Sequence, residues 1–406
     1  MKMDALLSTY PFLWRDEAFP LCHILSRRPF AMLDVENCNA SGPWTFSNAT
    51  INVKPRIEAM SEMFMFRGAV QTILQSRPGA QHHTEFNAEQ KIAVQALDEF
   101  VKEEKHLKCL TDIWGKPIEE RKESEIQAVL AVHVFGPLCP SADVRVDRRC
   151  NDCCPGCNTP VHKTDTSFGH NDGWHGYADI VVRHSQIKIT QHEDAGASGD
   201  QPPAKRARSD SDESVSSITE VKSSSGEPYM PYGPLKLQAG SQSKDLSQIL
   251  AQTIVNAFIQ YKKNSSLKNY FIPCFLASEK FVTIHMYNPD HDLLVTQGEA
   301  MTLRKANSID YDTILTIWLA LNFDIFPAGV KGEHVGDLLD TQAKSGFFDQ
   351  IKSCLNLYKQ KLDFPTVESE NDELPKSWLI EKTLQKSRKY WEKEFLLKKD
   401  ADQDCK

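Results

Sequence analysis

The sequence has no run of about 18 uninterrupted apolar residues, so no segment reads as a membrane-spanning helix. No secretory leader is expected either. In "MKMDALLSTYPFLW", Asp4 and Pro11 interrupt the place where an apolar leader core would be continuous. We therefore expect a soluble, intracellular protein with no membrane partner. Basic residues are not in excess: the formal charge is −8 and the isoelectric point about 5.9. That balance excludes a general cationic coat for nucleic acid, so any such affinity must come from a local groove or a bound cation. An even cysteine count is also lacking. Four of the 11 cysteines crowd between Cys150 and Cys157, which suits a metal site better than a disulfide framework. The sequons at Asn48 and Asn264 then read as chance matches.

What is present is ample core material. The 406 residues are 40% hydrophobic and 9% aromatic, enough for one large or two ordinary domains. Residues 1–80 form an N-terminal segment without clear periodicity, in which Glu58 to Ser76 could make one helix. From Thr84 the apolar spacing predicts a helix through Ile92, Leu97, Phe100 and Val101. Ile118 to Leu138 predicts a second, more buried helix closed by Gly136-Pro137. Two helices are thus expected before the sheet, with His133 read as a buried core histidine. Ala178 to Val182 reads as a strand. Residues 192–217 hold almost nothing apolar and are expected to be disordered. A short strand is read in "SSITEVKSSSGEP", an amphipathic helix over Ser243 to Lys263, and two strands in "NYFIPCFLAS" and "KFVTIHMYN". Residues 300–406 read as a helical C-terminal region.

The candidate chemistry starts from Glu220 and Lys222. In a strand, residues i and i+2 share a face, so this acid and base act at one point. Pairing their strand with the one that carries Asp179 brings two carboxylates to one ammonium. Magnesium or manganese is satisfied by one or two carboxylates plus a backbone carbonyl, here that of Val221. The alternative is a solvated cross-strand ion pair.

Asp179 followed by Glu220-Val221-Lys222 resembles the PD-(D/E)xK, or restriction-endonuclease-like, nuclease superfamily, and most closely its exonuclease-type branch. The resemblance covers roughly residues 85–290, within a nuclease-like core over 85–295, and implies an α/β fold with a mixed central sheet flanked by helices. It further implies a metal-dependent nuclease that hydrolyses phosphodiester bonds in DNA. Asp179 and Glu220 would be metal ligands and Lys222 would position the attacking water. An acid on the preceding helix would be Glu125, with Glu123 as the alternate, and a supporting glutamine on the following helix Gln252, with Gln248 as the alternate. The rival reading is a catalytically inactive module of this fold that binds nucleic acid or protein, or a zinc-stabilised scaffold in which the cysteines are central.

"RRCNDCCPGCNTPVHKTDTSFGH" offers Cys150, Cys153, Cys154, Cys157 and His162, with Cys139 and His170 near by. Thiolates two residues apart around a Pro-Gly turn suit tetrahedral zinc, so residues 150–170 are expected to form a zinc-pinned loop. Reduced surface cysteines and an iron–sulfur cluster are the alternatives. "PPAKRARSDSDES", with Lys205, Arg206 and Arg208, reads as a nuclear-localisation tract or a solubilising loop. The basic text from Trp378 to Lys393 reads as the solvated face of a packing helix, with a nucleic-acid contact as its alternative.

Overall fold

The computed structural model describes residues 29–61, 65–76, 83–139, 144–182, 185–190, 244–305, 308–326 and 344–364. Strands β1 (Pro29–Cys38) and β2 (Ile51–Ser61) open the chain and pair antiparallel with each other. Helices α1 (Arg67–Gln75), α2 (Ala88–Lys102), α3 (Glu104–Gly115) and α4 (Glu123–Leu130) follow. The expectation of helix from Glu58 is corrected, because β2 runs to Ser61 and helix starts only at Arg67. So is the expectation that helices precede the sheet. Two of its strands come first, in text where aromatics and prolines hide the period-2 signal.

Strand β3 (Val144–Asp147) leads into β4 (Lys163–Thr164), β5 (Ser167–Gly169), β6 (His175–Tyr177), β7 (Ile180–Val182) and β8 (Ser185–Ile189). Then come α5 (Lys244–Lys263), β9 (Ile272–Ala277), β10 (Phe281–Asn288), β11 (Leu293–Gln297) and the short strands β12 (Met301–Thr302), β13 (Arg304–Lys305) and β14 (Ser308–Ile309). Helices α6 (Tyr311–Leu321) and α7 (Phe347–Gln350) complete the main elements.

One large mixed sheet runs in the order β2-β1-β11-β10-β9-β8-β7-β3-β4, with β12 also on β10. Among the described residues, only β3·β4 and β8·β9 pair in parallel in this sheet. The sheet centre is apolar because β9, β10 and β11 are buried almost throughout. Helix α5 lies on it with Ile249, Leu250, Ile254, Val255, Ala257 and Phe258 buried, and contains no Gly or Pro to interrupt it. Helix α2 starts with a reciprocal cap, in which Asn87 accepts from the Gln90 N–H and Gln90 accepts from the Asn87 N–H. The outcome is a mixed α/β protein whose large sheet is flanked by helices. Among the described residues, no helix is long and apolar enough to cross a membrane.

The position of β8 matters for function. β7 lies between β3 and β8, and β8 between β7 and β9, so both edges of each strand are taken. Glu220 and Lys222 themselves lie outside the described residues, as do the 192–217 segment, the Lys205 to Arg208 tract and the Trp378 to Lys393 stretch.

Candidate metal and acid–lysine centres

Asp179 sits at the start of β7. Side chains of two helices and a loop tie down the backbone that presents it: Gln252 of α5 donates to the Tyr177 carbonyl (2.9 Å), Thr166 of the β4–β5 loop to the Ala178 carbonyl (2.6 Å) and Gln127 of α4 to the Asp179 carbonyl. The Asp147 N–H also donates to the Asp179 carbonyl at 2.9 Å. Just upstream, Gly176 has φ +143°, and an added Cβ would stand 3.0 Å from the Phe46 ring, so glycine is needed there. Backbone satisfaction of this kind fixes a side chain's origin to within the play of the surrounding core.

Among the described residues, the tripeptide beside Asp179 is Gln186-Ile187-Lys188. The β7·β8 register pairs Ile180 with Ile187 and Val181 with Gln186, which sets Lys188 opposite Asp179. Lys188 Nζ lies 3.1 Å from Asp179 Oδ2 and 3.1 Å from Glu123 Oε1 on α4. The two carboxylate oxygens are therefore no further apart than twice that distance. Asp179 Oδ2 also accepts the Ile189 N–H at 2.8 Å. Burial lifts the Asp179 carboxyl above its ordinary value, outweighing the Lys188 charge and the Ile189 N–H that pull it down. Burial works against the Lys188 ammonium too, but Asp179 and Glu123 outweigh it and hold its pKa up.

Of the expected site residues, Asp179 and Gln252 come together, and Gln252 acts through a backbone carbonyl. Glu125 is corrected: it faces Lys116 at 2.7 Å, and Glu123, its alternate, is the acid that turns to the Lys188 side. Lys188 went unnoticed because Gln186 is an amide, so a search for an acid two residues before a lysine passes over it. Its signal was the strand pattern immediately after Val182. Among the described residues, the amide oxygens of Gln186 and Gln252 are buried without a hydrogen-bond partner. The Asp179 and Glu123 carboxylates that flank Lys188 are oxygen donors of the type that suits a hard cation. Arg149 stands on the solvent side, bonded to Asp147 at 2.7 Å and 5.8 Å over the ring of the exposed Tyr177.

The second centre combines sulfur and nitrogen. Cys109 of α3, His133, Cys154 and Cys157 bring four ligand atoms within 4.8 Å of one another. His133 comes from a π-helical turn, Ala131–Phe135, that continues α4. Its Nε2 is 3.2 Å from Cys157 Sγ and 3.3 Å from Cys154 Sγ. Around tetrahedral zinc, neighbouring ligand atoms are spaced about 3.6–3.8 Å, and Cys3His is a common structural set. The cluster could thus hold a metal such as zinc. The Pro155-Gly156 turn lets the loop close, since a Cβ on Gly156 would come 2.9 Å from Cys109 Sγ. Burial pushes the Cys109 thiol up to about 12, so binding a cation there must release protons. Cys157 is lowered: burial acts upward, but hydrogen bonds from Thr159 prevail. Burial also lowers His106 and His133 to about 4, which makes both imidazoles neutral at pH 7.

This quartet differs from the five-residue set expected within 150–162. Cys154 and Cys157 belong to it, whereas Cys150 donates to the Ser124 carbonyl (3.5 Å), Cys153 bridges through its backbone to Pro160, and the His162 carbonyl accepts from Val146. His133 is a buried histidine, as read, and also one of the four. Cys109, and the place of His133 in the cluster, went unread because their helices lie well upstream; the signal was a Cys three residues after His106 on one helix face. No disulfide joins the described cysteines.

Comparison with known protein families, curated proteins and solved structures returned no match. The assignment of function rests on the two centres alone.

Proposed function

We propose that the β7–β8 hairpin carries a divalent-cation-dependent centre for phosphodiester hydrolysis in nucleic acid, with DNA as substrate, on a restriction-endonuclease-like core. The carrying observation is the Lys188 ammonium 3.1 Å from both the Asp179 and Glu123 carboxylates. In this reading Asp179 and Glu123 hold magnesium or manganese, and Gln252, Thr166 and Gln127 keep the Asp179 backbone still. A bound cation supplies charge neutralisation at the phosphate and a lowered pKa for water. Lys188 then turns its protons to the incoming water or the phosphate oxygens, a role open to a compact ammonium on a flexible stem. Arg149 and the exposed Tyr177 beside it offer a cation and an aromatic face to a nucleic-acid strand.

One observation favours a second reading. Gln186 stands where this type of centre would carry another carboxylate, and an amide brings no negative charge to a cation. A module of the same fold that binds nucleic acid without cutting it fits that substitution.

The test is cleavage of labelled single- and double-stranded DNA and RNA by zinc-loaded protein with Mg²⁺ or Mn²⁺. Cleavage lowered at least ~100-fold in both Asp179→Asn and Lys188→Met is the expected result. Unchanged cleavage in both variants overturns the hydrolytic assignment. DNA binding with no cleavage by the wild type selects the second reading.

A further inference from the structure

Beyond the four atoms that face one another, the sulfur–nitrogen centre is backed by a hydrogen-bonded chain. His133 Nδ1 lies 3.1 Å from His106 Nδ1, and His106 Nε2 lies 3.1 Å from Glu103 Oε2. Only one arrangement of protons satisfies both contacts while leaving His133 Nε2 as a lone pair toward the sulfurs. His133 carries its proton on Nδ1 and donates to His106 Nδ1; His106 carries its own on Nε2 and donates to the Glu103 carboxylate. The His106 ring is further held by stacking on Phe100, with centroids 4.8 Å apart and planes at 11°. His106 is 3% and His133 1% exposed, so water does not compete for these bonds.

We propose that Glu103 and His106 are positioning residues of a structural zinc site whose ligands are Cys109, His133, Cys154 and Cys157. Glu103, His106 and Cys109 are three residues apart in turn, so α3 and the residue that caps its N-terminus supply one sulfur ligand and the whole support of the imidazole. The zinc ties α3 and the 154–157 loop to the π-helical turn. That turn continues α4, which carries Glu123 and Gln127, so the metal also fixes the helix that reaches Asp179. This inference does not depend on the hydrolytic reading, because its observables are metal affinity and coordination.

The experiment measures Zn²⁺ affinity by chelator competition, and the Co²⁺ absorption spectrum, for the full chain and for His106→Leu, His106→Gln and Glu103→Gln. Loss of an outer partner of a ligating histidine costs ~10–100-fold in metal affinity. We expect that loss in His106→Leu with the Cys3His cobalt spectrum retained. His106→Gln should restore affinity to within a few-fold, because its amide can both accept from His133 and donate to Glu103. Glu103→Gln, at a partly exposed position that leaves the core intact, should fall between them. Wild-type affinity in His106→Leu would overturn the proposal. So would a changed cobalt spectrum, or a zinc that survives Cys157→Ser unaltered. Should His106→Leu fail to fold, Glu103→Gln and His106→Gln decide the outcome by the same two measurements.

Discussion

Replacing Lys188 with methionine keeps most of the side-chain volume and removes the ammonium that faces Asp179. The Asp179 carboxylate is then left in a pocket where the whole residue is 7% exposed. Breaking a buried ion pair by taking away one partner costs about 3–5 kcal/mol. We take the lower end, about 3 kcal/mol at pH 7, because the Ile189 N–H still supports the carboxylate and the Glu123 side chain is half exposed, contributing little. The pH dependence carries the sharper prediction. Asp179 has a folded-state pKa raised above its ordinary 3.8, and losing Lys188 raises it further. A carboxyl raised in this way favours folding below the unfolded pKa and loses that favour as pH rises through the folded one. The penalty of Lys188→Met must therefore shrink as pH falls toward the raised Asp179 value, at a slope no steeper than ~1.4 kcal/mol per pH unit. Urea unfolding of wild type and variant from pH 5 to pH 8, zinc-saturated throughout, reads it directly. A penalty under ~1 kcal/mol, or one that does not change over this range, would refute the reasoning.

Two further outcomes follow from named contacts. Gly156→Ala pushes a methyl group to 2.9 Å from Cys109 Sγ and 3.2 Å from its Cβ, so zinc affinity should fall about 10-fold or more by chelator competition. Arg121→Met should lower stability by about 4 kcal/mol in urea unfolding. It strips Glu279, which lies in the β9–β10 turn and is 1% exposed, of its 2.6 Å guanidinium partner.

Much of the centre of the fold was legible in the residues. Helix α5 and strands β9 and β10 follow from uninterrupted helical spacing and from β-branched and aromatic runs, signals that depend on neighbours in sequence. β1 and β2 were not legible, because their apolar positions alternate irregularly around bulges between Ala31 and Leu33 and between Val35 and Asn37. The cysteine-rich 150–157 stretch stood out in the sequence, yet the four residues that could hold a metal did not. Half of that set arrives from helices and is brought in by tertiary packing, which spacing rules do not reach. Asp179 was singled out in the sequence, whereas Lys188, 3.1 Å from it, was not. A tight β7–β8 connection closes at less entropic cost than a long one, and it put Lys188 opposite Asp179.

The central claim is that Asp179 and Glu123 together hold a divalent cation next to Lys188. Mn²⁺ binding to the zinc-loaded full chain, followed by electron paramagnetic resonance, tests it most directly. The account predicts one Mn²⁺ per chain, abolished in Asp179→Asn, weakened in Glu123→Gln and untouched in Glu125→Gln, whose carboxylate serves Lys116 instead. Mn²⁺ bound equally well by wild type and Asp179→Asn would contradict it.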